Sequence, residues 1–217
     1  MKKMIFAFIS IFALTLFAGT IAMAQQTEKE LKKEIKEKAI KSARKEAKKI
    51  KKDGWDVAPG SLPLDKTLEN SWMKSAQMTE DGSQPRYITA DGEGFAGTRT
   101  AAEMQAVETA KLQLAGQLET KIASLVSANI ANNQTASDEA ATITEVIQSA
   151  KNIIAQELGV VSPFFKIYRT EAKNERVRVR LFYDTQQAMT IAKKKVLQEL
   201  KDKTKQNEED LKKLMGM

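Results

Sequence analysis

Residues 176–183 read RVRVRLFY, a run in which basic and apolar side chains alternate over most of its length. A period of two is typical of a β-strand, because successive side chains point to opposite faces of the sheet. The preceding residues 160–170 are rich in β-branched and aromatic side chains, and Lys173-Asn174 lies at a turn between the two runs. The pattern predicts a β-hairpin over 160–183 with a packed face and a cationic face. The packed face contains Val177, Val179, Leu181 and Tyr183, and the cationic face contains Arg176, Arg178 and Arg180.

A third short strand is predicted near 86–90, and a glycine-rich segment follows it. Gly92, Gly94 and Gly97 match the G-x-G-x-x-G spacing that binds a pyrophosphate in dinucleotide folds. Those folds need a compact βαβ unit with an acidic residue at the end of the second strand. Here Glu119 falls in the middle of a long predicted helix. We therefore interpret the segment as a flexible turn that leads into that helix.

Helical periodicity fills the rest of the domain. One helix begins near Thr100 and ends at Asn132-Asn133, and a second begins at Ser137 and ends at Gly159. Asp184 or Thr185 caps a last helix after the hairpin. The sequence predicts an α+β domain over 86–204, in which a small antiparallel sheet packs against two long helices and a C-terminal helix. A charged tail, 205–217, follows it.

The N-terminus is typical of a secretory signal peptide over 1–24. Lys2 and Lys3 precede a largely apolar run, which ends in the small-residue pattern Ala22-Met23-Ala24. We expect cleavage after Ala24 and export to the periplasm or the periphery of an outer membrane. The chain has no Cys, so it cannot carry the lipid anchor of a bacterial lipoprotein.

Basic charge is concentrated in a predicted helical arm, 25–53. Residues 27–53 contain 12 Lys or Arg against 6 Asp or Glu, whereas residues 54–217 contain 21 against 22. A thin, mostly Ala stripe predicts a solvent-exposed helix. The arm could contact an anionic membrane surface, an envelope polymer or a protein partner, or it could be a solvated spacer. Export argues against nucleic acid. The candidate contacts are Lys48, Lys49, Lys51 and Lys52.

Two further groups of residues are candidate binding sites. The connecting segment, 54–85, is predicted to pack on the core. It contains Trp55 and Trp72, which could form an aromatic platform for a ligand or anchor the segment to the domain. The arginines of the cationic face could receive an anionic polymer or a carboxylate-bearing partner, or could form an ordinary polar outer face.

Composition excludes most catalytic chemistry. Without Cys and His the chain can form neither a Ser-His nor a Cys-His pair, and no ordinary zinc site. Two carboxylates would suffice for glycoside cleavage, but no acid pair stands out among the helical surface charges. We expect a protein that is not an enzyme and needs no cofactor.

The order of elements resembles that of the small membrane-associated lipoprotein family of about twenty kilodaltons and the N-terminal domain of the flagellar assembly protein T. The resemblance covers roughly 86–204. Residues 54–72 look more like exported proteins of Bacteroidetes-type bacteria that have no assigned role. The resemblance implies an α+β envelope domain that binds other proteins or assembles, with no catalytic residues to transfer. It is carried by the hairpin and by Ala90-Asp91-Gly92-Glu93-Gly94, Ala102, Ala106, Ala110, Lys111, Leu114 and Ala115.

Together these observations predict a non-catalytic, exported cell-envelope protein that acts through protein–protein or surface contacts. The alternative is a binding module for an anionic envelope polymer or glycan, built on the cationic face and the tryptophans.

Overall fold

A computed structural model describes residues 30, 33–34, 36–133, 137–159, 161–204 and 206–217. The predicted signal peptide lies outside these residues. The fold is α+β, as the sequence predicts. The elements are α1 (36–52), α2 (Leu64–Ser75), β1 (Tyr87–Ala96), α3 (Arg99–Asn133), α4 (Ser137–Ser149), α5 (Lys151–Glu157), β2 (Phe165–Glu171), β3 (Asn174–Asp184), α6 (Thr185–Lys203) and α7 (Glu208–Leu214).

The sheet is antiparallel, with the order β1-β3-β2. Its central strand, β3, contains the alternating run of the predicted hairpin, and β2 is the partner strand of that hairpin. The turn between them places Ala172 at a φ of 56°. The alternate apolar side chains of β3 pack against α3, and the cationic side chains point to the opposite face of the sheet.

Strand β1 is longer than predicted, and the interpretation of its glycines as a flexible turn is wrong. Gly92 and Gly94 lie within the strand, opposite Val179 and Val177 of β3. A Cβ atom at Gly92 would lie 2.0 Å from the carbonyl oxygen of Ala106, and one at Gly94 would lie 2.0 Å from that of Ala102. The glycines are needed because the backbone of α3 lies directly against the backbone of β1.

The remaining helices complete the core on the α3 side of the sheet. The second predicted helix is divided at Ala150 into α4 and α5, and Gly159 follows with a φ of 66°. The predicted cap of α6 is confirmed, since Asp184 Oδ1 accepts hydrogen bonds from the backbone N–H groups of Gln186 and Gln187.

Residues 208–214 of the predicted charged tail form a packed helix. Leu211 and Leu214 are buried in the main core, as is Met215, which follows the helix. The side chain of Asn129 on α3 donates to the carbonyl oxygen of Leu214 at 2.7 Å. Charged residues dominate the composition of this segment, but their helical spacing leaves the apolar ones on one side.

Helix α1 packs on the cationic side of the sheet. Ala43 and Ala47 are buried in a second apolar cluster, together with Trp55, α2 and β2. The expectation of a fully solvated arm is therefore wrong for this side of α1, because small side chains let the helix approach closely. The second cluster contains Ala43, Ala47, Trp55, Leu64, Leu68, Phe165 and Ile167.

Candidate functional site

The three predicted arginines of β3 are each paired with a carboxylate. Arg180 is the register partner of Asp91 and binds it through two hydrogen bonds, Nε to Oδ1 at 2.6 Å and Nη2 to Oδ2 at 2.9 Å. Arg178 is the register partner of Glu93, with Nε 2.5 Å from Oε2. Charge pairs across neighbouring strands are a normal source of sheet stability. The cationic face of the hairpin is therefore neutralised by β1.

Arg176 lies at the centre of a shared network. Its guanidinium donates to Glu93 Oε1 at 2.5 Å and to both carboxylate oxygens of Glu171, at 2.9 and 3.1 Å. Arg169 also donates to Glu171. Since one carboxylate bridges two arginines at each of Glu93 and Glu171, the network links all three strands of the sheet.

The pairing shifts the titration of these carboxylates. Burial raises the pKa of Glu93, but hydrogen bonds from Arg176 and Arg178 outweigh burial, so the net pKa is below its usual value. Hydrogen bonds from Arg176 and Arg169 likewise lower the pKa of Glu171. Both groups are ionised at neutral pH and balance the arginine charge.

The structure places Trp55 and Trp72 in different environments. Trp55 is only 2% exposed, and its ring is contacted by the guanidinium groups of Arg178 at 4.4 Å and Arg169 at 4.9 Å. Trp72 is 45% exposed, and its Nε1–H donates to Glu46 of α1 at 3.0 Å. Trp55 thus anchors the connecting segment and is occupied by cations of the same chain. It is not an open ligand platform.

The predicted lysines of α1 remain exposed to solvent. Lys48, Lys49 and Lys52 have no carboxylate within ion-pair distance in the described part of the chain, and Lys51 Nζ lies 3.9 Å from Asp56 Oδ1. Eight of the fifteen residues from 38 to 52 are Lys or Arg, and all eight are exposed. Their spacing places six of them on the side of α1 away from Ala43, with Arg44 and Lys51 on the flank of the helix. This surface, the basic face of α1, consists of Lys38, Lys41, Arg44, Lys45, Lys48, Lys49, Lys51 and Lys52.

A cleft of about 450 Å³ lies between α1 and the β1 edge of the sheet. Its walls carry Glu46, Asp91 and Glu93 together with Arg178 and Arg180. Positive and negative groups are mixed there and most are already paired. Within the described residues, no group of three or more acidic side chains is arranged to hold a metal ion.

An aromatic cluster on the cationic side of the sheet was missed by the sequence analysis. Tyr87, Phe164 and Phe182 surround the ammonium group of Lys74, which lies 4.6, 4.6 and 5.2 Å from their ring centroids. A signal was present, because Phe182 continues the alternation of Arg178 and Arg180 along β3. Strand alternation therefore places this ring on the side where α2 packs.

No protein-family model, curated protein or solved structure matches this chain. The resemblance to envelope lipoproteins and to the flagellar protein domain stays a prediction. Among the residues that the structure describes, none of the helices combines the length and the apolar character needed to cross a membrane.

Proposed function

We propose that this chain is a non-catalytic, exported cell-envelope protein whose basic face of α1 contacts an anionic surface. The observation that carries the proposal is the contrast between the two sets of cations. The arginines of the sheet are paired with Asp91, Glu93 and Glu171, whereas most cations of α1 point to solvent with no acidic partner in the described residues.

The composition of the basic face favours a diffuse anionic surface over a shaped pocket. Seven of its eight cations are Lys, whose compact and mobile ammonium groups act as point charges. Lysine is depleted in the cores of protein–protein interfaces, where aromatic residues and Arg are enriched. Anionic lipid headgroups or a linear polyanion match such a face, because they offer many weakly specific negative charges.

The packing of α1 supports the proposal in a second way. Ala43 and Ala47 hold the helix against Trp55 and the sheet, so its opposite side is presented by a supported element. The helix that carries the charges is therefore held in place before binding, while the lysine side chains themselves remain mobile. Cations dominate this side of the helix, and the apolar side chain that lies among them, Ile40, is only partly exposed, so contact is peripheral and sensitive to salt.

The alternative function, recognition of an anionic polymer or glycan by the arginine ladder and the tryptophans, is less well supported. Arg176, Arg178 and Arg180 would have to give up carboxylate hydrogen bonds, and Trp55 is buried. Breaking such pairs would offset most of what a new anion contributes.

The test measures binding of the mature chain to vesicles that contain phosphatidylglycerol. Binding is measured by co-sedimentation at increasing salt concentrations. A triple variant, Lys45→Gln, Lys48→Gln and Lys52→Gln, removes three charges from the basic face. Each lysine near an anionic surface contributes about 1 kcal/mol, so we expect the affinity at low salt to fall by roughly a hundredfold.

The matched control removes three exposed lysines from other parts of the molecule, through Lys121→Gln, Lys173→Gln and Lys194→Gln. Both variants have the same net charge, so only the position of the charge differs. If the two variants lost binding equally, net charge alone would explain the loss, and the basic face of α1 would have no special role. No binding by the unaltered chain at low salt would refute the proposal for lipid surfaces.

A further inference from the structure

The three strands of the sheet each bring an aromatic ring to the Lys74 cluster. Tyr87 begins β1, Phe182 lies near the end of β3, and Phe164 immediately precedes β2. The backbone N–H of Phe164 donates to the carbonyl oxygen of Arg180 at 3.0 Å, so its position is fixed to the central strand. We call these three rings the aromatic cage.

The rings of the aromatic cage support one another. Phe182 meets Tyr87 edge-to-face at a centroid distance of 6.1 Å and Phe164 at 5.0 Å. Phe182 is almost buried, whereas Phe164 is 38% exposed, so the cage opens to solvent on the Phe164 side. It is thus a cluster of mutually supported rings at the surface and does not belong to the interior of the core.

The occupant of the cage is a cation that the rings alone hold. Lys74 has no carboxylate within ion-pair distance among the described residues, and its Nζ contacts the three rings instead. It lies in the last turn of α2, at the end of a flexible four-carbon stem. A cation held in this way can leave without breaking a salt bridge.

We propose that the aromatic cage is a binding site for alkylammonium ligands, and that Lys74 is its internal competitor. A ring attracts a cation through its quadrupole, and recognition of quaternary ammonium groups is the common use of several rings that converge on one point. Such a group offers more apolar surface to the rings than the primary ammonium of Lys74 does. A trimethylammonium compound is therefore the ligand class that suits the site best.

Displacement of Lys74 sets the affinity of the resting protein. A ligand binds only to molecules whose cage is open, so the apparent dissociation constant is the intrinsic one divided by the open fraction. The competing side chain is tethered, and its effective concentration is therefore high. Removing Lys74 should tighten the binding of an external cation, because it removes both the tethered competitor and the repulsion between two positive charges.

The experiment titrates choline into the mature chain and into Lys74→Ala. Binding is monitored through the NMR signals of the rings of the aromatic cage. We expect Lys74→Ala to bind choline about tenfold more tightly than the unaltered chain. A second variant, Lys74→Gln, keeps most of the side-chain length without the cation and should bind with an affinity between the two. Lys74 is a partly exposed position in the last turn of α2, and thermal unfolding checks that both variants remain folded.

Two controls separate cation recognition from apolar contact. The neutral isostere 3,3-dimethylbutan-1-ol has the shape of choline and should bind at least tenfold more weakly to Lys74→Ala. The double variant Lys74→Ala, Phe164→Leu retains an apolar side chain but loses one ring, and should lose most of the gain. If Lys74→Ala binds choline no better than the unaltered chain, or no better than the neutral isostere, the proposal is refuted.

A further arm identifies the source of the ammonium group. Phosphatidylcholine vesicles offer it at a membrane, whereas free choline offers it in solution. Co-sedimentation of Lys74→Ala with these vesicles would assign the cage to a lipid headgroup, and binding of choline alone would assign it to a soluble ligand or a partner side chain. This contact does not involve the basic face of α1, so it should persist at salt concentrations that abolish binding to phosphatidylglycerol.

Discussion

Gly92 and Gly94 are the residues that set the distance between β1 and α3. Replacing either with Ala would place a methyl carbon 2.0 Å from a carbonyl oxygen of α3, a contact that only a backbone shift can relieve. We expect each substitution to destabilise the protein by about 3 kcal/mol, which for a chain of this size lowers Tm by roughly 10 °C. Thermal denaturation followed by circular dichroism measures this.

Gly97 provides the control for that prediction. An added Cβ atom would meet its nearest neighbour, Asn174 Oδ1, at 4.0 Å, and the residue has no left-handed φ. Gly97→Ala should therefore change Tm by less than about 2 °C. Gly97 follows the end of β1, so a similar loss in all three variants would show that an added methyl group destabilises this segment independently of the contact with α3.

The sequence predicts which face of the sheet some charged residues occupy, but not which residues they pair with. The alternation of Arg176, Arg178 and Arg180 was enough to place them on one face of β3. The same alternation is present in β1, where Asp91 and Glu93 alternate with Gly92 and Gly94. Glycine conceals the strand pattern because it contributes no apolar side chain. The pairing of these acids with the arginines depends on the register between β1 and β3, which a local pattern does not specify.

Helix α1 is the element whose role differs most from the sequence expectation. Its apolar stripe is mostly Ala, which in isolation favours a solvated helix, whereas in the fold small side chains permit close packing. Ala43→Glu would bury a carboxylate next to Trp55 and Phe165, and we expect a loss of about 3 kcal/mol or detachment of the helix. A red shift of Trp55 emission, measured in a Trp72→Phe background, would report detachment.

Ser42→Glu is the matched control, because it introduces the same charge one residue earlier at an exposed position of α1. It should leave Trp55 emission unchanged. If Ala43→Glu also leaves both the emission and the stability unchanged, the packing of α1 against the sheet would be contradicted.

For the molecule as a whole, charge is balanced on the sheet and unbalanced on α1. The split was visible from composition, since 27–53 is strongly basic and 54–217 is nearly neutral. The three-layer arrangement was not visible, because the connecting segment and α1 reach the sheet through contacts between residues far apart in sequence. The α+β class and the hairpin were predictable because both depend on local periodicity.

Stability should depend on pH in one direction only between neutrality and strong acid. The chain contains no His, so no side chain of ordinary pKa titrates between pH 6 and 8. Glu93 and Glu171 have lowered pKa values in the folded state, and hydrogen bonds from Lys201 and Lys212 lower the pKa of Glu208 to about 2. Such a group stabilises the fold above its ordinary value of 4.5, and this contribution is lost as the pH falls towards 2.

Urea denaturation at a series of pH values measures this dependence. We expect a constant free energy of unfolding from pH 8 to about 6 and a steady fall below about 4.5, to which Glu93, Glu171 and Glu208 contribute. Glu208→Gln should make the acid-side fall shallower. A rise in stability on acidification below 4.5 would contradict the sign of these shifts.

The side chains of Gln105 and Gln117 on α3 affect whether the sheet of one molecule can pair with the sheet of another. Gln117 donates to the carbonyl oxygen of Thr89 at 2.9 Å, and Gln105 accepts from the backbone N–H of Phe95 at 3.1 Å. Backbone groups near both ends of the free edge of β1 are therefore hydrogen-bonded. At the opposite edge of the sheet, formed by β2, Asp56 exchanges two backbone hydrogen bonds with Tyr168. A short sheet with partners at both edges offers fewer free backbone groups to a second chain, so we expect the folded protein to resist templated aggregation at high concentration.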